Sequence, residues 1–221
     1  MPRTARIVSD VMTHTVVAVG REAPFKEIVR TLEQWKVSAL PVLVGEGRVI
    51  GVVSEADLLP KEGFRDSDPA RPGQPQDLPG MAKAGAVSAD ELMTSPAITV
   101  HANATLAEAA RIMTHRRVKR LPVVDAEGRL EGIVSRADLL KVFLRPDEEI
   151  EEEVRREVVA HLFPAPGQPV EVRVSEGVVT LTGHIRDAML IPAAARLIRA
   201  VEGVVDFDNQ LTTAHLTRPP A

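Results

Sequence analysis

The 221-residue sequence contains no cysteine and no long apolar run. Without cysteine, the chain cannot form disulfides, thiolate nucleophiles, Cys-ligated zinc sites or iron–sulfur clusters. No stretch of about 18 apolar residues occurs, and Arg3 and Arg6 are not followed by an apolar segment, so neither a membrane span nor an export signal is predicted. We therefore expect a soluble cytoplasmic protein.

The motifs of common catalytic and metal sites are also missing. The six histidines are scattered, with no pair spaced by one helical turn and no HExxH motif. No GxGxxG, P-loop or GxSxG sequence occurs. No catalytic residue, metal ligand or required cofactor is predicted, and an enzyme is the least favoured class of function.

Charge argues against nucleic acid as a partner. The net charge is −4, and residues 147–221 carry 13 acidic and 7 basic side chains. A protein that binds duplex nucleic acid needs a basic face to neutralise phosphates, and an acidic segment is repelled by an anionic membrane surface.

An internal repeat organises the first two thirds of the chain. Residues 8–59 align with residues 89–140 without a gap and share 20 identities in 52 positions. Three motifs recur with a constant offset of 81: Met12-Thr13 and Met93-Thr94, Leu40-Pro41-Val42 and Leu121-Pro122-Val123, and Ser54-x-Ala56-Asp57 and Ser135-x-Ala137-Asp138. A duplicated unit is therefore predicted.

Each copy has the same pattern of elements. A short apolar strand precedes a helix that ends near Trp35 or His115, two strands joined by a turn follow, and a second helix opens at the motif serine. Pro60 and Pro146 are expected to bound that second helix. The predicted strands are Val16–Val19, Leu40–Val44 and Val49–Val53, with Ile98–Val100, Leu121–Asp125 and Leu130–Val134 as their counterparts.

Two further segments complete the chain. Residues 60–88 hold five prolines, four glycines and few apolar side chains, and we interpret them as a mobile linker because such a segment buries too little surface to offset its ordering entropy. Residues 147–214 have the pattern αββαβ, with an acidic first turn that suits a helix N-terminus. In its second helix, Pro192 marks either the start or a kink. The predicted domains are 1–59, 60–88, 89–146 and 147–214, with a tail at 215–221.

The motif Gly51-x-x-Ser54-x-x-Asp57 and its copy Gly132-x-x-Ser135-x-x-Asp138 carry the clearest chemical signal. A strand ends, glycine permits the close approach of a ligand or of backbone, and a hydroxyl lies where a helix begins. Unpaired amides at that point favour phosphate, and the carboxylate can accept hydrogen bonds from a ribose diol. Alternatively, Ser-x-x-Asp is a capping box that needs no ligand.

Both repeats resemble CBS domains, and the pair resembles a Bateman module over about residues 8–145 outside the linker. The resemblance implies an α/β (α+β) fold in which two βαββα repeats pack as a pseudo-twofold pair and commonly form homodimers. It also implies clefts that bind AMP, ADP, ATP, S-adenosylmethionine or a dinucleotide as a regulatory ligand. In those clefts Asp57 and Asp138 would hold the ribose, Ser54 and Ser135 would lie near phosphate, and Val16, Val17, Ala97 and Ile98 would flank the base.

The second repeat carries a basic run that the first lacks. Lys119 and Arg120 occupy the position of phosphate-contacting basic residues in this family, and Arg136 follows the motif serine. Arginine suits such a role through its planar donor fork. We expect the cleft of Ser135 and Asp138 to bind phosphorylated ligands more tightly than the cleft of Asp57. The resemblance also allows these basic residues to reach across to the opposite cleft. The other alternative is a solvated helix end whose cations lie near the C-terminus.

Residues 148–213 resemble a BON domain, through Ser175-Glu176-Gly177 before an apolar strand and Val201-Glu202-Gly203-Val204 before the last strand. These turn glycines specify fold more than function. The resemblance implies a loose link to phospholipid or envelope association. The leading hypothesis is thus a non-catalytic sensory protein with an adenosine-containing ligand. The other is an adaptor in which the CBS pair is a dimerisation scaffold and the BON domain contacts a protein partner or phospholipid.

Overall fold

The computed structural model describes residues 6–63, 78–164 and 170–213. These residues form two compact units, one spanning Arg6–Arg136 and the other beginning at Ala137. Among the described helices, none is long and apolar enough to cross a membrane.

The first repeat is a three-stranded sheet with two helices. A 3-10 turn at Val8–Asp10 precedes the sheet, in which β2 lies between a parallel β1 and an antiparallel β3. The elements are β1 (Val19–Gly20), α1 (Phe25–Trp35), β2 (Ala39–Val44), β3 (Arg48–Ser54) and α2 (Glu55–Gly63). Helix α1 buries Ile28 and Leu32, which lie one turn apart and so share a face, against the apolar strand β2.

The inter-repeat segment, interpreted from the sequence as a mobile linker, is helical in part. Helix α2 continues past Pro60 to Gly63, so this proline does not end the helix, and a further helix α3 spans Leu78–Gly85. Ala86 is 3% exposed and belongs to the core of the first repeat. Residues 64–77 lie outside the described part of the chain.

The second repeat has the same plan with a shorter first strand. The short helix α4 (Ala89–Leu92) precedes a parallel bridge between Val100 and Val123, which takes the place of β1. Helix α5 (Leu106–His115), strands β4 (Arg120–Val124) and β5 (Leu130–Ser135) and helix α6 (Arg136–Leu140) follow. A capping box starts α5, in which the Thr105 side chain accepts from the Glu108 amide at 3.2 Å and the Glu108 carboxylate accepts from the Thr105 amide at 2.8 Å.

The two repeats exchange their leading segments. Thr13 pairs with Ile133 in β5, and Thr94 pairs with Val52 in β3. Because both residues of one pair are offset by 81 from those of the other, the exchange follows a pseudo-twofold relation between the repeats. Each Met-Thr motif therefore lies against the opposite repeat.

The second unit confirms the predicted αββαβ pattern. Pro146 directly precedes helix α7 (Asp147–Val154), which continues through a π turn at Arg155–Val159 into α8 (Ala160–Leu162). Helix α9 starts at Ile191, so Pro192 marks its first turn and does not kink it. Strands β6 (Glu171–Ser175) and β7 (Val178–Ile185) are antiparallel, and β8 (Asp206–Thr213) runs parallel to β7.

A glycine pair sets the turns of this unit. Gly177 and Gly203 have φ of +73° and +93°, and a Cβ on Gly177 would lie 2.9 Å from the Gly203 carbonyl oxygen. Asp147, at the start of α7, accepts hydrogen bonds from the amides of Glu176 and Gly177 at 2.8 and 2.9 Å. The turn between β6 and β7 is thereby tied to the first helix.

Candidate functional site

Asp57 closes the first turn of α2. Strand β3 ends at Ser54, whose backbone amide and hydroxyl both donate to Oδ2 of Asp57, at 2.8 and 2.7 Å. One half of a capping box is such a hydrogen bond, in which the side chain of the third helical residue accepts from the backbone amide that precedes the helix. Asp57 therefore caps the helix, as the Ser-x-x-Asp motif can do without a ligand. The same carboxylate also faces a cavity.

A cavity of about 440 Å³ lies between the two repeats of the first unit. The first repeat contributes Ser38, Val52, Ser54 and Asp57, and the second contributes Thr94, Pro96, Ala97 and Ile98 together with residues 117–120. This volume is in the range of pockets that hold small ligands.

The second repeat lines this cavity because residues 94–97 form hydrogen bonds with β3 of the first repeat. Val52 and Thr94 exchange backbone hydrogen bonds at 3.1 and 2.9 Å. The Ile50 carbonyl accepts from the Ser95 hydroxyl at 3.0 Å and from the Ala97 amide at 3.3 Å. Ala97 and Ile98 are therefore held beside Asp57 of the other repeat.

The motif glycines accommodate a methionine from the opposite repeat. A Cβ on Gly51 would collide with the Sδ of Met93 and would lie 2.8 Å from its Cγ. On Gly132, a Cβ would lie 2.7 Å from the Sδ of Met12 and 3.0 Å from the Thr13 carbonyl oxygen. The sequence motif predicted a close approach at these positions, and in both repeats the atoms that approach are protein atoms.

The basic run lies in the cavity of Asp57, which corrects the expected pairing with Ser135 and Asp138. Arg117, Lys119 and Arg120 all line the cavity, and a guanidinium nitrogen of Arg120 donates to the hydroxyl of Ser38. This bond joins the start of β4 to the residue before β2, so the basic end of β4 is directed at the first repeat. The pairing could not follow from a comparison of the repeats one by one.

The cavity presents three kinds of surface. Arg117, Lys119 and Arg120 provide cationic donors, Ser54 provides a hydroxyl, and Glu55 and Asp57 provide carboxylates. The apolar wall consists of Val52, Pro96, Ala97 and Ile98. Such a lining can hold an anion, accept hydrogen bonds from a diol and cover a flat ring at the same time.

The remaining predicted residues lie elsewhere. Val16 and Val17 are half-buried and do not line this cavity, and Val17 packs against the core of the first repeat. Arg136 follows β5, and its Nε donates to the Val118 carbonyl at 3.2 Å. Ser135 ends β5 opposite Arg120. Asp138 belongs to the second unit, where its carboxylate pairs with Lys141 at 2.8 Å.

Sequence reasoning missed several of the lining residues. Thr94 belongs to the repeated Met-Thr motif and Arg117 to the basic run, so both had a signal in the sequence. Ser38, Val52 and Pro96 had none, because their place depends on the exchange between the repeats. In the described ranges, no cluster of three or more His, Asp or Glu side chains could hold a metal ion.

Comparison with known proteins places the chain among CBS-domain proteins. The CBS-domain family matches residues 8–61 and 89–145, and the BON-domain family matches residues 146–215. An uncharacterized protein of Methanocaldococcus jannaschii is 28% identical over 158 residues, which cover 62% of this chain and 91% of that protein.

Two other relatives differ in how much of their length is shared. The inosine-5'-monophosphate dehydrogenase of Korarchaeum cryptofilum is 25% identical over 203 residues, but the chain spans only 38% of that enzyme. The crystal structure of CBSX2, a protein of Arabidopsis thaliana, in complex with AMP has a TM-score of 0.55 and 30% identity. That match covers 62% of this chain and 96% of the CBSX2 chain. The chain therefore belongs to the CBS-domain family and carries a BON domain after its pair of CBS repeats.

Proposed function

We propose that the cavity beside Asp57 binds a phosphorylated adenosine compound and that the chain is a non-catalytic sensory protein. The observation that carries this proposal is the lining of that cavity, where cationic side chains, a carboxylate and an apolar wall face one volume of about 440 Å³. The likeness to CBSX2, which has been solved in complex with AMP, supports the same class of ligand.

Each part of the ligand has a matching surface. Arg117, Lys119 and Arg120 suit phosphate, because hydrogen bonds between charged groups are about twice as strong as those between neutral groups. Asp57 suits the ribose diol, since an ionised carboxylate only accepts hydrogen bonds. The apolar wall at Ala97 and Ile98 suits the base. AMP, ADP, ATP and NAD form the panel from which the natural ligand is to be identified, and S-adenosylmethionine, which carries no phosphate, is tested beside them.

Calorimetry with AMP tests the proposal. A ligand present at 100 times its dissociation constant stabilises the fold by about 2.7 kcal/mol, so AMP should also raise the melting temperature. Asp57→Ala should weaken AMP at least tenfold, because the diol loses its charged acceptor, a loss of roughly 1.5–3 kcal/mol. Arg120→Ala should weaken AMP about tenfold and adenosine much less.

Asp138→Ala is the matched control, since it removes the same group from the equivalent position of the second repeat. It should leave the affinity of the basic cavity unchanged. Retention of the tight site in Asp57→Ala together with its loss in Asp138→Ala would contradict the proposed location. Flat melting curves across the whole panel would favour the adaptor function.

For a ligand to act as a signal, it must bind two states of the protein with different affinities. We propose that the readout is a contact with another chain. A groove of about 510 Å³ between α1 and α2 is lined by apolar side chains, among them Val29, Leu32 and Leu58, and by charged ones, among them Glu33 and Lys36, and we propose that a second copy of the chain covers it. The alternative function would place a protein partner or phospholipid on the BON domain, in which Met189 and Val205 are 82% and 61% exposed.

A further inference from the structure

The carboxylate of Asp57 has a third partner that comes from the inter-repeat segment. The ammonium of Lys83, on α3, forms an ion pair with Oδ1 of Asp57, the oxygen that Ser54 leaves open. The side chains of Lys83 and Asp57 are 24% and 13% exposed, so the pair is largely shielded from solvent.

In both repeats a lysine pairs with the aspartate of the motif, but the lysine comes from a different position in the chain. In the second repeat, Lys141 lies three residues after Asp138 on the chain and pairs with it at 2.8 Å. The offset of 81 places Pro60 at the equivalent position of the first repeat, and proline carries no charge. Lys83, 26 residues beyond Asp57, supplies the missing ammonium.

Helix α3 is fixed next to Asp57 at its C-terminal end. The ammonium of Lys61, on α2, donates to the carbonyls of Ala84 and Ala86 at 3.0 and 2.9 Å. Ala86 itself is buried in the core of the first repeat. Lys83 thus contacts Asp57 from a helix whose C-terminal end is fixed by Lys61. The ion pair connects this helix to the cavity.

The acceptor capacity of Asp57 limits what it can bind. A carboxylate has about four lone-pair sites, and Ser54 and Lys83 together occupy three of them. A ribose diol needs two. Release of Ser54 would leave a backbone amide at the start of α2 without a partner, whereas a lysine ammonium on its flexible stem can return to water.

We infer that Lys83 and the ribose diol of the ligand compete for Asp57, so that ligand binding releases Lys83 and loosens α3. This inference rests on the proposed function of the cavity. It makes Asp57 the point where occupancy of the cavity is transmitted to the segment between the repeats, and it makes Lys83 a determinant of the affinity for ribose.

A comparison of AMP with 2′,3′-dideoxy-AMP tests the competition. The dideoxy compound has no diol, so it binds without displacing Lys83. Lys83→Met should raise the affinity for AMP roughly three- to tenfold relative to the affinity for dideoxy-AMP, the range of one hydrogen bond of ordinary strength. Lys83→Gln is a second variant, and circular dichroism verifies that both are folded. Lys26→Met removes the same charge from an exposed position on α1 and should leave the ratio unchanged.

Hydrogen exchange tests the release of α3. Bound AMP should accelerate amide exchange in residues 82–86 of the unaltered protein while it slows exchange around the cavity. In Lys83→Met, exchange in residues 82–86 should already be fast without ligand, and dideoxy-AMP should not accelerate it in the unaltered protein.

The possible outcomes separate the inference from the function on which it rests. If AMP binds but Lys83→Met changes AMP and dideoxy-AMP by the same factor, or lowers the preference for AMP, the competition is overturned and the proposed function stands. Slower exchange in residues 82–86 upon AMP binding would likewise overturn it. Tight binding of AMP by the Lys83→Met variant but not by the unaltered protein would support the competition. Failure of AMP to bind either protein overturns both.

Discussion

At the scale of single residues, Gly51 and Gly132 allow the repeats to interlock. Each lies under the methionine of the other repeat, Met93 and Met12, with no space for a Cβ. The Gly-x-x-Ser-x-x-Asp motif thus has two roles in the first repeat. Its glycine permits the contact between the repeats, and its aspartate both caps α2 and faces the cavity. A motif that the sequence suggested as one site thus serves packing at its glycine and faces the cavity at Asp57.

Gly51→Ala should therefore destabilise the protein by about 1–3 kcal/mol, as overpacked positions do. Met93 would have to move to relieve the clash. Urea denaturation measures the loss, and the double variant with Met93→Ala should lose less than the sum of the single variants because the clash is gone. Gly20→Ala is the matched control in a strand, since a Cβ there meets nothing within 4 Å. Equal effects of Gly51→Ala and Gly20→Ala would contradict the interlock.

At the scale of elements, α1 and α2 form a face that the first repeat does not cover. Ile28 and Leu32 point into the core, whereas Val29 is 41% exposed and Leu59 is 67% exposed. Both line the groove between the two helices. Exposed apolar side chains on two neighbouring helices are suited to contact another chain.

The homodimer proposal predicts that Val29→Glu shifts the protein toward the monomer, because a buried carboxylate without a partner opposes the contact. Sedimentation velocity at several protein concentrations measures the shift. Gln34→Glu adds the same charge on α1 outside the groove and should leave the association unchanged. An oligomeric state that is identical in all three proteins would exclude this groove as the interface.

Sequence patterns predicted most elements but not the inter-repeat segment. Apolar periodicity located the ends of α1 and α5 at Trp35 and His115, because the burial of one helical face is a local signal. Composition suggested that residues 60–88 carry no packed structure, and this was wrong for α3 and Ala86. Two lysines, Lys61 and Lys83, fasten that segment through contacts that no local pattern reveals.

At the scale of the whole molecule, the compact units and the family matches divide the chain at different residues. Contacts separate the units between Arg136 and Ala137, whereas the CBS match extends to residue 145 and the BON match begins at residue 146, next to the boundary predicted at Pro146. The placement of the basic run beside Asp57, which the sequence left open as a reach across the cleft, has a related reason. It depends on the exchanged segments at Thr13 and Thr94, and such long-range pairing leaves no trace in either repeat alone.

Arg145 explains why the end of the second repeat belongs to the second unit. It is 8% exposed, donates to the Glu202 carbonyl at 2.6 Å and pairs with Glu153 at 2.7 Å. Gly203 lies against it, since a Cβ there would be 3.4 Å from the Cβ of Arg145. A buried guanidinium is favourable only while its partners remain, and both follow Pro146.

Deletion of residues 147–221 should therefore preserve ligand binding but weaken the end of the second repeat. Among the described residues, all that line the cavity of Asp57 lie between Ser38 and Arg120, so the truncated chain should bind AMP within about twofold of the full chain. Hydrogen exchange in residues 137–146 should become faster, because Arg145 loses Glu153 and Glu202. Arg145→Met in the full chain is the matched variant, and it should accelerate exchange in the same residues without a change in AMP affinity. A truncated chain that is folded by circular dichroism but has lost AMP would show that the BON domain completes the site.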